Sequence, residues 1–153
     1  KTGTLLCDFR NDAGGFVRLL FQIPWSLSTP AWQTTVTIPV DTDILLALTY
    51  DASAEGNNPT VYMGVLSTGA LTTYTVGDGL TENTAPSGTV SDDSASDLIW
   101  AHNDFEGIID EIVIIPSVLT QAQVAALLTR AFSTWTKRTV RTARRLEHDL
   151  LEE

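Results

Sequence analysis

Three carboxylates sit at the edge of an apolar run, Glu106, Asp110 and Glu111, in FEGIIDEIVII (105–115). A glycosidase needs two carboxyl groups flanking one bond, about 5 Å apart in the retaining geometry. Alternation along a strand puts Glu106 and Asp110 on one face with Ile108 between them, and turns Glu111 to the other. Ile108 occupies the place where a third same-face carboxylate would be needed. The spacing therefore predicts no catalysis. Asp110 is expected to accept hydrogen bonds from nearby backbone amides, and Glu111 to be solvated or paired.

A second group, Asp78, Glu82, Asp92, Asp93, Asp97, Asn103 and Asp104, supplies hard oxygen ligands with no cation near them in sequence. Such donors suit calcium. The candidate metal ligands are Asp92, Asp93, Asp97, Asn103 and Asp104, the alternative being an unoccupied, solvated acidic loop. EF-hand spacing is absent. His102 and His148 are far apart and unaccompanied, which points to structural or surface roles. Neither a Ser-His-Asp arrangement nor a Gly-rich phosphate loop is present. Cys7 is the single cysteine, so no internal disulfide or cysteine-based zinc site forms, and its strand setting predicts a small core residue rather than a reactive thiol. Trp25 and Trp32, in an irregular segment with Pro24 and Pro30, are the candidate sugar-stacking platforms; Tyr50, Tyr62 and Trp100 lie on strands and are expected in the core.

The elements that must hold these groups follow from periodicity. Leu5, Cys7 and Phe9 alternate on one face of a strand over 4–10, the cluster 11–15 is a turn, and 16–22 resumes a strand, which makes a hairpin with a loop longer than two residues. Further strands are predicted over 33–38, 43–51, 60–66, 71–76 and 97–102, with 77–97 a long polar loop. From Gly107 to Ile115 the β-branched run reads as a strand covered on both faces, ended by Pro116. Thr120 and Gln123 fit a capping box, and Val124, Leu127 and Leu128 give one apolar helix face. Many short strands at this spacing indicate an all-β antiparallel sandwich.

The length of 153 residues suits one domain with a core. Charge is divided unevenly. Residues 1–129 carry 15 acids and 3 bases, while residues 130–153 carry 4 acids and 6 bases. A body so poor in cations repels phosphate, which excludes nucleic-acid binding there. No apolar run approaches the roughly 18–20 residues of a membrane span. Lys1 is expected to mark a processed or trimmed start.

Phe105–Ile112, then Leu119-Thr120 and an amphipathic helix, resembles the C-terminal signature of the laminin-G-like, concanavalin A-type jelly rolls. Leu46–Asp51, the polar loop with Gly56, and Val61-Tyr62-Met63 are similar to that family's strand, loop and strand. The match covers roughly residues 43–128. The family's Trp-His pair has no counterpart at Asp43-Ile44-Leu45, nor do its aromatic-rich opening strands. The resemblance implies a concanavalin A-like β-sandwich over 1–128, calcium at a sandwich rim, and carbohydrate as ligand.

Residues 129–153 follow as a tail expected to be mainly helical. On a helix Arg138, Arg141 and Arg145 share one face, and Phe132, Trp135 and Leu146 form a partly separate apolar strip. This set is expected to be an association element that docks on a neighbouring chain, a homo-oligomer or a larger assembly; the alternative is packing on its own sandwich. The expected function is a non-catalytic recognition or adhesion module with a glycan or protein partner, in an extracellular, cell-surface or virion setting. Its rival is a structural subunit, such as a virion decoration or tail component.

Overall fold

Strand alternation in the first 22 residues buries an apolar side chain at every second position, so two strands form and turn the same side inward. In the computed structural model, which describes residues 5–11, 17–39, 41–91, 98–100, 108–109, 112–115, 117–131 and 133, these are β1 (Leu5–Asn11) and β2 (Val17–Gln22). They pair antiparallel, with Cys7 opposite Phe21 and Phe9 opposite Leu19. This is the hairpin that the turn cluster implies. The strands that follow are β3 (Ala31–Thr34), β4 (Ile44–Thr49), β5 (Thr60–Val65), β6 (Ala70–Val76), β7 (Gly79–Thr84) and β8 (Leu98–Trp100). Among the described residues one helix, α1, runs from 121 through 131. The protein is thus mostly β.

The strands hydrogen-bond in the order β4-β5-β6-β7-β3-β2-β1-β8. The expectation of a purely antiparallel arrangement is corrected here, because β8 joins β1 in parallel and β6 joins β7 in parallel. Parallel neighbours ordinarily need a long connection. β1 and β8 have one, since nearly the whole described sheet lies between them in sequence.

The chain forms two compact units. One comprises Lys1–Asp41, Leu48–Val61 and Thr73–Val118, the other Thr42–Ala47, Tyr62–Thr72 and Leu119–Glu153. In the first, β1, β2, β3 and β7 lie side by side, and their register sends Cys7, Phe9, Leu19, Phe21, Trp32, Thr34 and Leu80 to one face. All seven are buried. Thr34 is tolerated there because its hydroxyl accepts the Leu19 N–H at 3.0 Å, which removes the cost of a buried unpaired amide.

β7 lies inside the stretch expected to be a loop. Its one inward apolar residue, Leu80, gives no alternation that sequence reading could detect. The strand starts because Gly77 and Gly79 adopt φ of +88° and +77°, left-handed conformations that only glycine takes without strain. Thr75 and Asp78 exchange backbone hydrogen bonds of 2.9 and 2.8 Å across that turn.

The apolar run before α1 departs most from expectation. Residues 108–109 and 112–115 form no strand, and Ile108 is 96% and Ile114 70% exposed. Ile112, Val113, Ile115 and Val118 are exposed as well. No described strand pairs with this run, and an unpaired strand has no ladder to hold it or sheet face to cover it. Its β propensity alone is insufficient.

In the second unit the capping box forms as read. The Thr120 N–H donates to Gln123 Oε1 at 2.8 Å and the Gln123 N–H to Thr120 Oγ1 at 3.3 Å. The helix then buries Val124 and Leu128, while Leu127 stays partly exposed. Leu128 lies against Gly64 of β5 so closely that a Cβ at residue 64 would stand 2.5 Å from Leu128 Cδ1. Glycine is what permits this approach. Gly64→Ala is expected to destabilise the protein by roughly 1–3 kcal/mol through overpacking, and Leu128→Ala by roughly 2–5 kcal/mol. Chemical denaturation of both variants and the double variant should give a combined loss smaller than the sum, since truncating Leu128 frees the space that the added methyl group needs. Additive losses would show that helix and strand do not meet there.

Candidate functional site

The same register that buries one face of β1-β2-β3-β7 fixes what stands on the other. Leu6, Asp8 and Arg10 of β1, Arg18, Leu20 and Gln22 of β2, Ala31 and Gln33 of β3, and Thr81 and Asn83 of β7 alternate with the core residues. Leu20 and Ala31 are buried; the rest is largely polar. A cleft of about 180 Å³ opens here, lined by Arg18, Gln33, Thr34, Thr35, Thr81 and Asn83.

The cleft's chemistry is amide, hydroxyl and guanidinium. Asn83 Nδ2 donates to Gln33 Oε1 at 3.4 Å, a long contact that leaves both amides with donor and acceptor capacity to spare. Beside the cleft Arg10 Nε donates to Asp8 Oδ2 at 3.1 Å. Asp8 is 4% exposed, and its Oδ1 accepts no hydrogen bond. Among the described residues no carboxylate lines the cleft itself, so these hold neither half of an acid–base pair. They can bind, through planar polar groups, a ligand rich in hydroxyls.

The tryptophans expected to be exposed are both in the core, at 3% for Trp25 and 0% for Trp32. This corrects their reading as accessible stacking platforms. The irregular segment 23–30 does not push them outward; backbone bonds such as Ser26 N to Thr89 O at 2.8 Å hold it down. Trp32 stacks on Phe21 with centroids 5.9 Å apart and meets Tyr50 at 5.1 Å, and its indole N–H donates to Asn58 Oδ1 at 2.8 Å. Burial pushes the Tyr50 phenol above its ordinary value, an effect the Trp25 indole partly offsets, though no well-aligned hydrogen bond joins the two.

The candidate metal ligands Asp92, Asp93, Asp97, Asn103 and Asp104 lie outside the described residues, as do Glu106, Asp110, Glu111, His102 and His148, and the tail residues Phe132, Trp135, Arg138, Arg141, Arg145 and Leu146. Among the described residues no three His, Cys, Asp or Glu side chains converge as a metal site, and no helix is long and apolar enough to cross a membrane. Asp78 is exposed in the turn before β7, and Glu82 is half-buried within that strand. Sequence reading missed Arg18, Gln33, Thr81 and Asn83. The available signal was the polar alternation opposite Leu19, Phe21, Trp32 and Leu80, which appears only once register is known. No protein-family model, curated protein or solved structure matches the chain.

Two outcomes follow from this geometry. Trp32→Ala should destabilise the fold by roughly 3–5 kcal/mol, seen as a lower Tm in buffer without any ligand. A variant with unchanged Tm would mean that Trp32 is not a core residue. Cys7 gives the second. Burial, with the charge of Asp8 adding to it, pushes its thiol from 9.0 up to about 12. A folded-state pKa above the unfolded one means that the stabilisation is complete below pH 9 and is lost as pH rises toward 12. Unfolding free energy should therefore fall by up to about 1.4 kcal/mol per pH unit in that window from this group, and Cys7→Ala should flatten the fall. A thiol reagent at pH 8 should modify the protein only after denaturant is added.

Proposed function

We propose that the protein is a non-catalytic recognition module, that its ligand is a carbohydrate, and that the polar face of β1-β2-β3-β7 is where the sugar docks. The observation that carries this is the cleft bordered by Gln33, Thr81, Asn83 and Arg18. Sugar hydroxyls are paired donors and acceptors, and side-chain amides offer both in one plane. A lining of amides and hydroxyls without a described carboxylate supports binding over hydrolysis. The resemblance to laminin-G-like jelly rolls adds a sandwich architecture to the reading, with a surface or virion setting and calcium at the rim.

A structural subunit of a larger assembly is the second reading. The exposed apolar run at Ile108, Ile112–Ile115 and Val118 favours it, because contiguous apolar surface of this kind marks contact surfaces.

A glycan array followed by titration calorimetry tests the first reading. Saccharide binding should weaken about tenfold or more in Gln33→Ala and Asn83→Ala, since each removes hydrogen bonds that the ligand would otherwise satisfy. Their folding should be unaffected, as Gln33 and Asn83 lie outside the core. Binding that survives both substitutions would place the ligand elsewhere, and an array without a hit, alongside a stable symmetric oligomer in sedimentation, would favour the structural reading.

A further inference from the structure

Among the described residues eleven large apolar side chains are exposed, and seven of them fall in one stretch, Ile108, Ile109, Ile112–Ile115 and Val118. Scattered exposed apolar residues are ordinary on a protein surface, whereas a contiguous patch marks a contact. Exposure here runs from 40% at Ile109 to 96% at Ile108. Each side chain at such exposure presents on the order of 100 Å², so the stretch presents on the order of 700 Å² of apolar surface. A stable protein–protein interface takes about 800 Å² from each partner. One stretch is therefore close to a whole side of such an interface. Its described residues are Ile, Val and Ser alone, so a charged partner finds nothing among them to pair with.

We infer that this stretch is a self-association surface, 108–118 of one copy packing on the same stretch of a second copy about a two-fold axis. This rests on the structural-subunit reading above. In a two-fold contact both partners use one and the same patch, so the second copy brings matching apolar surface in matching amount. Both stretches leave water together, and the total of on the order of 1,400 Å² lies within the roughly 1,200–2,000 Å² of a stable interface. A polar partner surface would instead give up its hydration against side chains that return no hydrogen bond. The two-fold contact also closes at two copies, with no patch left over to propagate a fibre. Electrostatics sets the dependence on conditions. Each chain carries a net charge of −10, and Asp110 and Glu111 lie beside these apolar residues in sequence. Two copies thus repel through their surroundings and attract through the stretch itself. Salt screens the repulsion and spares the apolar contact, so pairing tightens as salt rises. An association carried by Arg138, Arg141 and Arg145 on an acidic body would weaken instead.

The test is sedimentation equilibrium of the full chain over a range of concentrations at low and high salt, with hydrogen–deuterium exchange read on the same samples. A monomer–dimer equilibrium should tighten at high salt, and amides within 108–118 should exchange more slowly as dimer forms. Val113→Lys and Ile114→Lys should each weaken dimerisation about tenfold or more. Circular dichroism and the Tm of the dilute monomer should stay unchanged, because both side chains are more than half exposed in the single chain. Self-association that ignores both substitutions, or that weakens with salt, overturns the inference and leaves the structural reading with a contact elsewhere. Variants that unfold when dilute also overturn it, by showing the stretch buried in its own domain. A chain that stays monomeric at every concentration and salt overturns it as well, and where that monomer binds a saccharide the structural reading falls with it.

Discussion

The contact between Phe21 and Trp32 sets the register of β2 against β3, and most of what can be said of this protein depends on it. Trp32 is fully buried among Phe21, Tyr50 and Asn58. A slip of one residue would turn its indole out of the core and bring Gln33 in. The cost of the first change is that of exposing a large aromatic surface, several kcal/mol by the scale of core truncations. The second would bury an amide without partners, roughly 1–3 kcal/mol more. Against a net stability of about 5–15 kcal/mol, no slipped arrangement competes.

That one constraint also builds the polar face. With Phe21 opposite Trp32, Leu20 lies opposite Gln33, and the β3–β7 ladder sets Gln33 opposite Thr81. Arg18, two residues before Leu20, then falls on the same side, facing Arg10. Core packing and the polar face are thus two sides of one register. The repulsion between the two arginines, within about 1 kcal/mol for a cross-strand pair, is small against the register energy. Folding can therefore hold the two arginines as direct cross-strand partners.

Legibility followed how much of each element's signal is local. The β1–β2 hairpin was readable because Leu5, Cys7 and Phe9 alternate and a turn cluster follows. The start of α1 was readable because Thr120 and Gln123 satisfy each other's amides within one turn. β7 was not, since its Thr, Glu and Asn side chains owe their strand conformation to β3 and to a glycine turn. Trp25 and Trp32 were misplaced for a related reason: two prolines suggested an exposed loop, but the segment's backbone is tied to residues 87–91 far along the chain. The cleft residues were illegible because each is an ordinary polar residue until four strands are aligned.

The run at 108–118 carries the reverse lesson. Ile108, Val113, Ile114 and Val118 are each more than half exposed, although seven of the eleven residues at 108–118 are β-branched. Burying each is worth roughly 1.5–3 kcal/mol, so the four together approach about 6–12 kcal/mol. Association of two molecules costs an estimated 4–15 kcal/mol before any contact counts. The two ranges overlap, so these side chains alone do not secure a stable complex. A partner would have to add further contacts, such as backbone hydrogen bonds. The structural reading therefore requires a further contact that the described residues do not display, whereas the recognition reading requires only the cleft that they do.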